Sequence, residues 1–165
     1  MKIVNIKYIV LILIVALFST AASAQISKAE IIATGLTCSM CSNAINKQLQ
    51  SLPEAVNVET DLNTNTFTVT LKEGNKLTPA TFKEKVEKAG FFIGSLVLTV
   101  PSETANKSPY IIVKDVTKKS KEIQIQVLDK GYVVDKEFKK LAKAYKNIPT
   151  YASSNEADFH VKVLN

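Results

Sequence analysis

Apolar residues between positions 29 and 100 recur with periods that predict the order strand, helix, strand, strand, helix, strand. In the first predicted helix, about 39–51, they recur at helical spacing and so form one apolar face. The two middle strands alternate apolar and polar residues around a turn at 63–65, which predicts a hairpin with one buried face. Two helices on one side of four antiparallel strands give a ferredoxin-like βαββαβ arrangement.

The rest of the chain predicts a second, smaller unit. The polar stretch 102–109, with prolines close to both ends, predicts a linker. Residues 110–165 then predict two strands, an amphipathic helix from Asp135 and a final strand in which Phe159, Val161 and Val163 alternate with polar residues. Such a short β-β-α-β unit would be marginal alone, so we expect it to pack on the first domain or on a partner. The predicted fold class is α+β, with the ferredoxin-like domain at 25–101 and the C-terminal unit at 110–165.

The first 24 residues have the features of a secretory signal peptide. Lys2 and Lys7 precede an apolar run at 8–18 that is too short to span a bilayer comfortably, and the small residues 22–24 form a cleavage site before Gln25. We therefore predict an exported protein, periplasmic or secreted, with no membrane span after signal cleavage.

The charge of the chain narrows the classes of partner. Its formal net charge is +6, and all of its basic side chains apart from one histidine are lysines. Nucleic-acid binders rely on arginine for bidentate contacts, so nucleic acid is not an expected partner.

Five lysines follow the polar face of the C-terminal helix, at positions 136, 139, 140, 143 and 146. Such a stripe is usually a solvated face, and its functional alternative is docking on an acidic partner.

The only two cysteines, Cys38 and Cys41, lie between the first predicted strand and the first helix. Thiolates are soft donors that select Cu(I), Hg(II) and similar ions over hard cations. The helix N-terminus carries positive partial charge, which helps both thiols to lose their protons. In an exported protein, this spacing alone leaves redox or disulfide use and metal binding equally open.

Residues 29–100 resemble a heavy-metal-associated domain, the module of copper chaperones, copper-transporting ATPase N-termini and the periplasmic mercury-binding protein. The family signature Gly-Met-Thr-Cys-x-x-Cys appears at 35–41, with Leu36 in place of methionine. Later family positions are matched by Leu52-Pro53, Val56-Asn57-Val58, Phe67-Thr68-Val69 and Lys88-Ala89-Gly90-Phe91. Leucine is close to methionine in size, so we expect the departure at Leu36 to tune loop stiffness more than ligation.

The resemblance implies that Cys38 and Cys41 bind one metal ion through two thiolates. It also implies that Gly35 allows the tight approach into the loop, that Thr37 is the residue usual in copper and mercury members, and that Phe91 shields the site. Two soft ligands fit a low-coordinate ion such as Cu(I), whereas zinc takes four ligands in structural sites and three from protein in catalytic ones. An open site would also allow the ion to pass to a protein partner by ligand exchange.

Three alternatives remain open. The same site would serve for capture of Hg(II) or another thiophilic ion, the cysteines could cycle as a disulfide, or the chain could be a non-enzymatic adaptor that binds protein through its second unit. A thioredoxin-type redox motif normally has an aromatic residue where Thr37 stands, and no catalytic set is recognisable elsewhere, so we do not expect an enzyme.

We expect Met40 to point to solvent or a partner and His160 to be a solvated surface residue.

Overall fold

The structure, a computed structural model, describes residues 25–115, 120–153 and 157–164. The predicted signal peptide, 1–24, lies outside the described residues. The strands are β1 Lys28–Thr34, β2 Ala55–Asp61, β3 Thr66–Leu71, β4 Phe92–Pro101, β5 Tyr110–Lys114, β6 Glu122–Val127 and β7 Phe159–Val163. The helices are α1 Ser39–Gln50, α2 Pro79–Lys88, α3 Ser102–Ala105, α4 Asp135–Ala144 and α5 Pro149–Ser153. Within the described part of the chain, no helix is both long enough and apolar enough to cross a bilayer.

The seven strands form a single sheet in the order β2-β3-β1-β4-β6-β7-β5. The first four strands and the helices α1 and α2 confirm the predicted ferredoxin-like βαββαβ fold. The C-terminal strands continue this sheet: β6 pairs with β4 in antiparallel fashion, with Ile125 opposite Leu98. β7 is antiparallel to β6, and β5 is parallel to β7. The C-terminal elements therefore join the first domain through a backbone ladder.

One face of the sheet carries the main hydrophobic core under α1 and α2. Ala29 and Ile31 of β1 alternate toward this face and lie opposite Val69 and Phe67 of β3. The helices contribute residues at helical spacing that are fully buried: Ile45 and Leu49 from α1, Phe82 and Val86 from α2. The core continues beneath the C-terminal strands through Ile125, Val161 and Phe159. One layer of packing thus spans both halves of the sequence.

The predicted β-β-α-β order of the C-terminal part is found, with the extra short helix α5 before β7. The inner side of α4 packs with Tyr151 of α5, whose ring contacts the ring of His160 at a centroid distance of 5.0 Å. Phe159 lies in the main core, and successive strand residues point to opposite faces. The helices α4 and α5 therefore cover the face of the sheet opposite α1 and α2.

Residues 102–109, predicted as a linker, hold the C-terminal part against the first domain. They begin with α3, in which Ala105 is fully buried in the main core. The Ser102 N–H donates a hydrogen bond of 3.0 Å to the carbonyl of Lys121, just before β6. The short helix therefore packs through Ala105, in a stretch where the sequence showed no apolar periodicity.

Candidate metal centre

The two cysteines meet at the N-terminal end of α1. Cys38 is the N-cap residue, with extended backbone angles, and Cys41 lies in the first turn. The Cys41 N–H donates to the Cys38 carbonyl at 3.1 Å, which closes this turn. The turn places the two Sγ atoms 2.9 Å apart, in hydrogen-bond contact. The structure thus brings together the two residues predicted as ligands.

The surroundings of Cys41 favour its thiolate form. The pKa of the Cys41 thiol is lowered, chiefly by a hydrogen bond with the Cys38 side chain and next by the backbone N–H of Thr37, with desolvation opposing them. A hydrogen bond donated to a thiolate stabilises the charged form and so lowers the pKa of the thiol. Both cysteines are free, Cys38 exposed and Cys41 half-buried. One nucleophilic sulfur therefore lies within reach of solvent.

The loop before the cysteines owes its shape to Gly35 and to two apolar supports. Gly35 has φ +85°, in the left-handed region that favours glycine. A Cβ there would lie 3.9 Å from Phe91 Cδ1, an ordinary contact, so backbone conformation and not space calls for glycine. Leu36 and Phe91 are both partly buried and pack against the main core. Phe91 thus lies beneath the loop beside Gly35, and Thr37 is exposed on its outer side.

The described residues supply two sulfur donors at this site and no larger ligand set. Among them, no group of three or more His, Cys, Asp or Glu side chains could hold a metal ion. Met40 is 81% exposed, in agreement with the expectation that it points away from the core. A cleft of about 270 Å³ opens beside Cys38, between the loop and the β2–β3 hairpin. The site is therefore open on the side where another molecule could approach.

His160, predicted to be a solvated surface residue, is buried, so that prediction is wrong. Its Nδ1 lies 2.7 Å from Asp129 Oδ1, and its backbone N–H donates to Asp129 Oδ2 at 2.7 Å. Its Nε2 lies 2.9 Å from Thr150 Oγ1. Strand alternation correctly gave the face on which His160 lies, but nothing in the sequence showed that α4 and α5 cover that face. Both ring nitrogens are engaged away from the cysteines.

Part of the chain is similar to known proteins. Residues 30–92 match the family model of the heavy-metal-associated domain. A yeast copper transporter domain, solved in its apo and Cu(I)-loaded states, is 35% identical over 41% of this chain and 89% of its own length, with a TM-score of 0.36. The chain belongs to the heavy-metal-associated domain family.

Two further solved structures are similar to part of the chain. A copper-binding domain of a P-type ATPase is 30% identical over 39% of this chain and 85% of its own, with a TM-score of 0.36. The N-terminal domain of a potential copper-translocating P-type ATPase from Bacillus subtilis, solved with Cu(I), is 29% identical over 41% and 81%, with a TM-score of 0.35. No curated protein matches the chain.

Proposed function

We propose that this is an exported protein that binds Cu(I) between the thiolates of Cys38 and Cys41 and either sequesters the ion or passes it to a protein partner. The observation that carries the proposal is the convergence of two sulfur atoms, 2.9 Å apart, from the exposed Cys38 and the half-buried Cys41 at a helix N-terminus. Membership of the heavy-metal-associated family supports metal binding as the general function.

The donor set favours Cu(I) over zinc. Two soft sulfur donors suit an ion of low coordination number, whereas protein zinc sites use at least three protein ligands. In the described residues, no third His, Cys, Asp or Glu joins the pair. The yeast and Bacillus subtilis relatives were solved with Cu(I), which supports the same ion here. Hg(II) is the alternative thiophilic ion for the same donors.

The openness of the site suits transfer. A thiolate of the partner could bind the ion before Cys38 or Cys41 dissociates from it. The ion would then pass through an intermediate with three sulfur ligands and would not be released to water. The lowered pKa of Cys41 keeps a thiolate available for the reverse step, in which the ion arrives. A storage site would favour closure, and Cys38 is exposed.

Anaerobic titration of Cu(I) against a competing chelator tests the proposal. We expect one tightly bound equivalent in the parent protein and none that competes with the chelator in the Cys38→Ser/Cys41→Ser variant. Met40→Leu is the matched control, because it removes the nearby thioether and leaves both thiols; it should bind as the parent does. A double cysteine variant that still competed for one equivalent would refute the site.

A redox role is the second candidate, since the two free thiols already touch. Closing a disulfide would require the sulfur atoms to approach to about 2.05 Å. A measured reduction potential separates the two functions. A value in the range of thioredoxin and glutaredoxin, together with reduction of insulin, would favour thiol–disulfide exchange over metal transfer.

A further inference from the structure

The outer side of α4 carries a strip of lysines. Lys136, Lys139, Lys140 and Lys143 are all exposed, and their spacing of three and four residues places them on one side of the helix. We call these four residues the lysine face. The acidic residues of the same helix, Asp135 and Glu137, flank the strip and do not interrupt it. The lysine face is therefore a continuous band of positive charge.

The opposite side of α4 is held in place. Phe138 stacks on Tyr151 at a centroid distance of 5.8 Å, and Tyr145 contacts the same ring edge-on at 5.5 Å. Leu141 and Ala142 pack against the same cluster. Because these contacts occupy the apolar side, the helix cannot turn that side outward to enter a membrane. A partner would meet the lysine side chains.

We propose that the lysine face attaches the protein to the surface of a bilayer that contains anionic lipid. Clusters of four or more lysines on an amphipathic helix bind anionic headgroups through diffuse electrostatic attraction. The chain contains no arginine, whose fork binds carboxylate and phosphate alike in a fixed bidentate geometry, so the strip consists of lysine point charges that need no fixed partner geometry. An acidic protein would have to place carboxylates at matching positions, whereas a bilayer presents phosphates everywhere along the strip.

This attachment leaves the thiols accessible. The helix α4 covers one face of the sheet, and α1, which carries Cys38 and Cys41 at its start, covers the other. A protein lying on a bilayer through its lysine face would still present both sulfur atoms to solvent. Lipid binding is thus independent of metal binding, and either property can fail without the other.

Co-sedimentation with vesicles tests the inference. The vesicles contain three parts phosphatidylcholine to one part phosphatidylglycerol, or phosphatidylcholine alone. We expect the purified full chain to bind the mixed vesicles more tightly than the neutral ones, and salt to abolish the difference. The variant K136Q/K139Q/K140Q/K143Q should bind up to about a thousandfold more weakly, given roughly 1 kcal/mol for each of the four lysines near the surface. Every variant keeps the same N-terminus, so any contribution from it is common to all and cancels when the variants are compared.

Two further variants decide whether the position of the lysines matters. K47Q/K76Q/K107Q/K121Q removes the same charge from exposed sites outside α4 and should bind like the parent. Replacing the four lysines of the lysine face by arginine should preserve binding and show that the helix tolerates substitution. The inference is overturned if K47Q/K76Q/K107Q/K121Q loses as much binding as K136Q/K139Q/K140Q/K143Q. It is also overturned if the parent does not bind mixed vesicles and binds only poly-L-glutamate, which would indicate an acidic protein partner.

Discussion

The metal loop, residues 35–41, and the Asp129–His160–Thr150 network are two polar clusters that differ in their exposure to solvent. In the loop, the Sγ atoms of Cys38 and Cys41 contact each other and are open to solvent. In the network, His160 is 1% exposed, and both ring nitrogens have partners within 2.9 Å. Imidazole is the commonest metal ligand in proteins, yet here the histidine has no nitrogen to offer.

The contrast shows that ligand type alone does not make a site. A side chain that binds and releases an ion must be accessible to it and must give up little when the ion binds. The thiols meet both conditions, since each gives up only a weak sulfur hydrogen bond. His160 would have to abandon a buried carboxylate, which costs several times more. We therefore expect the first cluster to control metal affinity and the second to control stability.

The largest effect should follow from Cys41→Ser. Loss of one of two ligands should lower Cu(I) affinity by more than the roughly ten- to hundredfold typical of changes in outer-shell partners. The free energy of unfolding should change by less than about 0.5 kcal/mol, because the half-buried side chain gives up only a weak sulfur hydrogen bond. Competition titration and urea unfolding measure the two quantities. A large loss of stability with unchanged Cu(I) affinity would contradict the expectation that the cysteine pair controls metal affinity and not stability.

His160→Ala should have the complementary effect. It leaves the Asp129 carboxylate without its buried partner and opens a cavity beside Tyr151, so we expect a loss of about 2–3 kcal/mol in urea unfolding. Thr150→Val keeps the shape of the side chain and removes one hydrogen bond, for a loss of about 1 kcal/mol. Cu(I) affinity should be unchanged in both. Weakened copper binding in either variant would show that the two clusters are coupled.

Gly35→Ala should produce a smaller effect on both properties. An alanine at φ +85° has room for its Cβ, so only the left-handed backbone conformation is penalised, by about 1 kcal/mol. The cost falls within the metal loop, and Cu(I) affinity should fall by no more than about tenfold. Gly74→Ala also has a positive φ with open space around it, and it serves as the control distant from the loop. Equal copper affinity in the two variants would mean that loop conformation does not matter for binding.

The smallest change is expected from Cys38→Ala, read out as the pKa of Cys41. The Cys38 side chain is the largest cause of the lowered Cys41 pKa, so its removal should raise that pKa toward the ordinary value for a thiol. Thiolate absorbance would then appear at higher pH than in the parent. Met40→Ala leaves this hydrogen bond intact and should not shift the curve. An unchanged curve in Cys38→Ala would assign the effect to the helix N-terminus instead.

The sequence predicted well what depends on local pattern. The alternation at 66–71, the helical spacing of Ile45 and Leu49, and the motif around Cys38 and Cys41 each report on neighbours within a few residues, and the structure follows them. The ferredoxin-like fold follows from the same signals in a fixed order. The two ligand candidates could therefore be named before their geometry was known.

The long-range pairings could not be predicted. The alternation of β6 shows that it is a strand, but it does not show that Ile125 faces Leu98 of β4. His160 and Asp129 are 31 residues apart, and neither has a local signal for the other. Backbone ladders and buried polar contacts depend on which surfaces meet, and single-strand patterns do not contain that information.

The pairing of β6 with β4 has a consequence for truncated forms of the chain. Without the C-terminal strands, β4 would be an outer strand, and five of its residues from Val97 to Pro101 would lose their backbone partners. Exposed strand edges recruit other copies of the same strand and lead to aggregation. A proteolytic product ending after Pro101 would keep the whole metal loop, yet we expect it to aggregate, because the exposed edge of β4 would pair with other copies of the fragment.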